Sequence, residues 1–371
     1  MTSREQDYRF HALTVSLCSR CGARVSAKIV LRNGAVYLRK TCLAHGIHEE
    51  LLEEDADFYL RGARYDKPGT RSQTQTLLDR GCPDDCGLCP DHEQHTCIGL
   101  LEVTPACDLG CPVCFAEADA GAPLPLETIR RMLDAFQEAE HGEADVLQLS
   151  GGEPARHPDI LAIIRLAREM GIRYVMLNTN GLRLADDPDF AAALGEFRGG
   201  FEVYLQFDGL DDRPDTALRG RGLAETKRRA LAALAAHRVP ATLVTTVQGG
   251  VNDDQLGAIL TFAMAHPTVR GVNVQPLAFF GRHDGLKPAD RLTRTGVLRR
   301  LTAQMAGMLT MDDFLPLPCD ADRIVFTLLY RAGGGFVPIP RRAKPHQYLP
   351  LLNNTLAFYA EDLWANLREC L

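Results

Sequence analysis

The chain has 371 residues, is 46% hydrophobic and 24% charged, and carries a formal net charge of −7. That composition suits a globular protein with a large core, and the acidic balance argues against binding nucleic acid through phosphate contacts. MTSREQDYRF at the start is charged and lacks an apolar core, and no run approaches about 18 apolar residues, so neither a secretory signal nor a membrane-spanning helix is expected.

The expected compartment is therefore the cytoplasm, where the twelve cysteines would stay reduced and serve metal or redox chemistry rather than disulfides. Ten of the twelve precede residue 115, leaving only Cys319 and Cys370 beyond it. The first group lies in a module expected over residues 12–60. CSRC supplies Cys18 and Cys21, and TCLAHG supplies Cys42 and His45. Two such knuckles about 20 residues apart make a tetrahedral four-ligand site, as in a zinc ribbon or a rubredoxin-like module. Between them, AKIVLRNGAVYLRK predicts a hairpin turning at Asn33-Gly34. Four protein ligands leave no open position, so a structural role is expected, with the ion either zinc or iron; His48 reads as a surface bystander.

A linker-like stretch, DKPGTRSQTQ, leads to CPDDCGLC, Cys82 to Cys89, followed by Cys97. Cys82, Cys86, Cys89 and Cys97, within residues 75–98, would close an auxiliary [4Fe–4S] cluster. A zinc site from the same residues is the alternative, and His92 and His95 are rivals for the fourth position.

From residue 99 the texture changes. LLEVT, VLQLS, YVMLNTNG, FEVYLQFDG, PATLVTTVQ and VRGVNVQPL read as strands. Each is followed by a helical pattern, from PLETIRRMLDAFQEAE to LTRTGVLRRLTAQMAGM, and Gly171 is placed to stop the second helix. Six β/α units over residues 99–310 predict right-handed crossovers and a parallel sheet, either doubly wound or a partial barrel. Polar residues gather where the strands end: Ser150 to Glu153, Thr179 to Gly181, Gln206 with Asp208, Thr245-Thr246, and Gln275. In both architectures that edge binds ligands. Residues 311–371 form a tail containing PIPRRAKPH and an amphipathic YLPLLNNTLAFYAEDLWANLREC.

The loop after the first of these strands reads CDLGCPVCFA, with Cys107, Cys111 and Cys114 in C-x3-C-x2-C spacing. Three thiols hold three corners of a cube and leave the fourth iron open to a ligand. At the end of the next strand stands SGGEP, Ser150 to Pro154. The two motifs together resemble the radical S-adenosylmethionine (SAM) superfamily, although Val113 stands where family members usually carry an aromatic residue.

The resemblance implies an α/β fold, a partial (β/α)6 barrel, preceded here by the zinc-ribbon-like and iron–sulfur region. It implies that SAM chelates the open iron through its amino and carboxylate groups and is cleaved by one electron to a 5′-deoxyadenosyl radical. It places Gly151, Gly152, Glu153 and Pro154 against the methionine moiety, with the glycines allowing close approach to the ligand and Glu153 accepting from its ammonium. It adds Asn180 and Asp208 as SAM contacts, Arg219 as partner of the SAM carboxylate, and Gln275 toward the adenine. An external electron donor such as a flavodoxin or ferredoxin is implied too.

The order of the three cysteine groups over residues 15–320 is similar to the radical SAM group that contains tetraether lipid synthase and the methyltransferases of a dihydropterin precursor. Carbon–carbon bond formation on a lipid chain is the first reading, and would bring peripheral contact with a membrane. Methyl transfer to a pterin-like heterocycle is the second. Lipid demands a long apolar cavity, a heterocycle a slot with facing polar groups. A non-enzymatic iron–sulfur or zinc-ribbon electron carrier is the alternative from another class.

Overall fold

A computed structural model describes residues 7–81, 84–85, 87–116, 118, 121–283 and 290–343. The described residues divide into two compact units, residues 7–66 with 292–343, and residues 67–291.

In the first unit, strands β1 (Arg9–Leu17), β2 (Arg24–Arg32), β3 (Ala35–Cys42) and β4 (Gly46–Glu53) form an antiparallel sheet in sequential order. The β2–β3 turn is the predicted one. Asn33 and Gly34 both have positive φ, 51° and 74°, which a two-residue type I′ turn requires. Helix α1 (Ala56–Gly62) is capped by Asp55 and packs Ala56 and Tyr59 against Leu31 and Val36. His48 is half-buried, with both ring nitrogens shielded, and is not the surface bystander expected.

The helix Arg294–Gln304 also belongs to this unit, which corrects its expected place in the barrel segment. The cause is one buried carboxylate. Glu53 accepts from Thr295 N and Oγ1 at 2.9 and 2.6 Å and pairs with Arg294 at 3.1 Å. Beyond that helix, Leu329–Ala332 pairs with Gly335–Pro338. Cys319 is half-buried in the turn Pro318–Asp320. Cys370 and the amphipathic segment read near the carboxyl end lie outside the described residues.

The second unit holds the β/α repeats. Its strands are β5 (Gly99–Thr104), a short β6 (Val113–Cys114), β7 (Val146–Gly151), β8 (Tyr174–Thr179), β9 (Phe201–Gln206), β10 (Ala241–Val247), β11 (Val269–Pro276) and a short β12 (Arg282–His283). Its helices are α2 (Leu126–Ala139), α3 (Ile160–Glu169), α4 (Leu182–Asp186), α5 (Pro188–Leu194), α6 (Asp212–Arg219), α7 (Ala224–Ala236) and α8 (Leu256–Ala265). Helix α3 stops at Gly171, with φ 91°, where Gly171 N and Ile172 N donate to Arg168 O and Ala167 O as in a Schellman motif.

The main sheet is parallel, in the order β5-β7-β8-β9-β10-β11. Every crossover steps one strand in the same direction, so right-handed connections put all the helices on one face. The strand order never reverses, as a doubly wound sheet would require, and the result is a partial barrel.

Alternation does the rest, because successive strand residues point to opposite faces. Leu147, Leu149, Val175, Leu177, Val203, Leu205 and Leu243 pack against Ile129, Leu133, Ile163, Leu231 and Ile259 of the helices in one continuous core. The opposite, concave face carries the residues between them.

Candidate functional site

The cysteine loop follows β5, and the turn after β7 is stitched to its start. Gly152 N donates to Thr104 O at 2.7 Å and Glu153 N to Ala106 O at 2.8 Å. Gly151 has φ 124°, and a Cβ on either glycine would overlap the carbonyls of residues 104–106. The glycines are therefore needed for close approach to the cysteine loop.

Glu153 is 3% exposed and caps the turn Pro154–Arg156. Its Oε1 accepts from Ala155 N at 3.0 Å and its Oε2 from Asn180 N at 2.7 Å. Burial outweighs these donors and pushes its carboxyl up to about 7. Asn180 reaches back to the cysteine loop, its Nδ2 donating to Asp108 Oδ1 at 2.7 Å. Its Oδ1 accepts from Leu182 N, and its backbone oxygen from Lys227 Nζ at 2.5 Å.

Asp208, fully buried at the end of β9, receives Arg219 Nε at 2.6 Å and Nη2 at 3.1 Å. Arg219 Nη2 also donates to Thr246 Oγ1, and Nη1 to Val113 O. The guanidinium expected to meet the SAM carboxylate is thus already engaged by protein oxygens, and as placed it braces the cysteine loop. Gln275 is exposed on the same edge, beside Thr246 in register. The structure therefore brings Cys107, Cys111, Cys114, Glu153, Asn180, Asp208 and Arg219 together at the carboxyl edge of the strands, with Gln275 further along it.

Burial pushes the thiol of Cys107 up to about 11 and raises that of Cys111, which Arg219 opposes. Cys111 packs with Leu109 and Leu223, flanked by Cys107 and Cys114. Three thiols on one loop are the donors that three corners of a cubane cluster require.

At the amino-terminal knuckle the geometry differs. The ligand atoms of Cys18, Cys21, Cys42 and His45 all lie within 4.8 Å of one another, and among the described residues this is the one group that converges so closely. Cys18 and Cys42 each place Sγ 3.5 Å from His45 Nδ1. The Arg20 and Cys21 amides help bring the Cys18 thiol down to about 6. One tetrahedral ion fits these four ligands.

Of the auxiliary set, Cys82 and Cys86 lie outside the described residues, while Cys89 is buried and Cys97 half-buried. His95 sits between Cys97 Sγ, 3.5 Å from its Nε2, and Glu140, 3.3 Å from its Nδ1. Glu140 also accepts from Ser72 Oγ and Thr96 N, tying this segment to the end of α2.

On the concave face, sequence reasoning missed a polar lining. Gln148 Nε2 donates to Asn178 Oδ1 at 2.7 Å, and Asn178 Nδ2 to Ser150 Oγ at 3.4 Å. Asn273 bonds the Tyr204 hydroxyl, and Thr242 bonds Glu202. Glu202 is 7% exposed, and burial raises its carboxyl and the Tyr204 phenol alike. Val146, Met176 and Val244 are interspersed. The signal was present: in VLQLS and FEVYLQ a polar residue recurs at every second position toward the strand end.

Residues 101–263 match the family model described as the radical SAM superfamily, and residues 10–54 match that of an HMPTM N-terminal zinc ribbon domain. The chain carries a radical SAM domain. It is similar to a 7,8-dihydro-6-hydroxymethylpterin dimethyltransferase of Methanocaldococcus jannaschii, 35% identical over 311 residues, covering 82% of this chain and 61% of that protein. A mycofactocin maturase of Mycobacterium ulcerans is 29% identical over 185 residues, covering 47% of this chain and 48% of that one. The chain thus spans less than two thirds of the length of either. Among solved structures, a radical SAM methyltransferase from Sphaerobacter thermophilus is 12% identical with a TM-score of 0.42, covering 80% of this chain and 75% of that one. The radical SAM domain implies a [4Fe–4S] cluster and SAM, and the three-cysteine loop has the donors for the cluster. Among the described residues no helix is long and apolar enough to cross a membrane.

Proposed function

We propose that this radical SAM protein transfers a methyl group to a flat, hydrogen-bonding heterocycle of the dihydropterin class. The observation that carries the reading is the concave face of the barrel. Gln148, Asn178, Ser150, Tyr204 and Asn273 set amide and hydroxyl groups where a lipid chain would need hydrocarbon. Leaving those groups against an acyl chain would cost about 1–3 kcal/mol for each one left unpaired, whereas ring nitrogens and an exocyclic amine would satisfy them. The name of the 35%-identical relative points the same way. Carbon–carbon bond formation on lipid, the first reading of the sequence, would set an acyl chain against these polar groups.

When bound, the cluster would supply electrons and one SAM the adenosyl radical that activates an inert carbon, while a second SAM would give up the methyl group and leave as S-adenosylhomocysteine. The roles of the protein are then to bind, orient and exclude water. Cys107, Cys111 and Cys114 would hold three irons, and Glu153 would accept from the amino group of the methionine moiety. Gln148 and Asn178, already paired, would present a preformed amide edge to the ring. Cys82, Cys86, Cys89 and Cys97 would hold the auxiliary cluster, with an external flavodoxin or ferredoxin as electron source. The knuckle ion would be structural.

The test is equilibrium binding of 7,8-dihydro-6-hydroxymethylpterin, followed by its fluorescence, to the reconstituted chain and to Gln148→Leu and Asn178→Leu. Each substitution removes a polar partner and should weaken binding about tenfold, one hydrogen bond's worth. Failure to bind the pterin, with saturable binding of a fatty-acyl probe that the substitutions leave unchanged, would return the lipid reading.

A further inference from the structure

Arg219 occupies a place that the chemistry of SAM binding does not explain. Helix α6 ends at Gly220, whose φ of 83° turns the chain back against the cysteine loop. Leu218 packs on Val113 and Leu277, Gly220 abuts Pro112, and Leu223 packs on Leu109 and Cys111. At the centre of this contact the Arg219 side chain, 10% exposed, joins three elements. It forks onto Asp208 at the end of β9, takes Thr246 at the end of β10, and donates to Val113 O, between Cys111 and Cys114.

A second buried cation serves the other side of the loop. Lys227 Nζ donates to Asn180 O and Gln206 Oε1, and Asn180 in turn holds Asp108, next to Cys107. Asp215, one turn back along α6 and fully buried, balances the charge. Two cations and two carboxylates thus lie beneath a loop of thiols.

We propose that Arg219 is a positioning residue that both tethers the cysteine loop and sets how readily the cluster on that loop takes up an electron. The reason is electrostatic. An added electron on a thiolate-ligated cluster is stabilised by a fixed positive charge and by hydrogen bonds near its sulfurs, most strongly where water is excluded. Asp208 is the counter-charge, so the two residues should move the potential in opposite directions.

The inference rests on the three-cysteine cluster reading, and the experiment separates the two. The full chain is reconstituted anaerobically with iron and sulfide, and iron is counted. The midpoint potential is then taken from a dithionite titration of the EPR signal that responds to added SAM. Arg219→Gln should shift that potential negative and Asp208→Asn should shift it positive. Arg219→Lys keeps the charge but loses the fork, and should hold less iron at a potential near that of the unaltered chain. Should Arg219→Gln fail to fold, Asp208→Asn alone decides. A potential that ignores both changes, or that moves the same way in both, overturns the proposal. A chain with no SAM-responsive signal before any substitution overturns the cluster reading itself.

Discussion

Glu153 shows how one side chain links local structure to chemistry. It is buried, held by two backbone amides, and carries a carboxyl pushed up to about 7. Ionised, both of its oxygens can accept from the amino N–H groups of SAM; protonated, one oxygen becomes a donor and the other a weaker acceptor. SAM affinity of the reconstituted chain should therefore rise as pH increases through about 7, and Glu153→Gln should bind more weakly with a flat profile; isothermal titration across pH reads both. The same shift has a stability consequence. Its folded value lies above the ordinary 4.5, so the native state holds the proton more tightly than the unfolded chain. That contribution is present below about 4.5 and is lost as pH rises through about 7, and Asp215, pushed up to about 6 by burial, adds to it. Urea midpoints of the metal-free chain should fall across that window; midpoints that rise would show that Glu153 and Asp215 are ionised in the native state. The motif residue itself was legible in SGGEP, because glycine beside glutamate at a strand end marks a tight approach. What the glycines approach was not legible, since Thr104 and Ala106 become their neighbours only through the β5–β7 pairing.

Strands and helices were the most readable level, because period-two and period-3.6 patterns follow from backbone geometry. FEVYLQ and AETKRRALAALAA announce themselves as strand and helix. Their faces were less so. Leu177 and Leu205 meet the helices, while Asn178 and Tyr204 one position away line the concave side, and a sequence pattern does not say which face becomes a lumen. Truncating the helix-side core should therefore be a stability event: Ile163→Ala or Leu177→Ala should cost about 2–5 kcal/mol in denaturant melts without altering the pterin or SAM affinity of the folded fraction. The knuckle predicts a separable failure. Cys42→Ser should lose the bound ion and the hydrogen-exchange protection of β1–β4, while amides of β7–β10 stay protected. Protection of β1–β4 that survives loss of the ion would show that Leu31, Val36, Ala56 and Tyr59 hold the sheet unaided.

Taken whole, the chain is two compact units that interleave in sequence. Sequence order hid this. Glu53 and Thr295 are 242 positions apart, and nothing in LTRTGVLRRLTAQ says that its partner is a carboxylate at the end of the amino-terminal sheet. The three-cysteine loop and SGGEP, in contrast, sit in consecutive β/α units, and their order along the chain was visible in the sequence. As a methyltransferase of a ring, the molecule would need its three-thiol loop to cleave SAM and its concave polar face to direct the outcome to that ring. The most direct measurement is product analysis of the anaerobically reconstituted chain with dithionite, SAM labelled in its methyl group, and 7,8-dihydro-6-hydroxymethylpterin. Expected are 5′-deoxyadenosine and methionine from one SAM, and label on the pterin with S-adenosylhomocysteine from a second, dithionite supplying one electron for each, and all of them abolished by Cys107→Ala, Cys111→Ala or Cys114→Ala. Deoxyadenosine with no label on the pterin, or labelled pterin that persists in the three cysteine variants, would contradict this account.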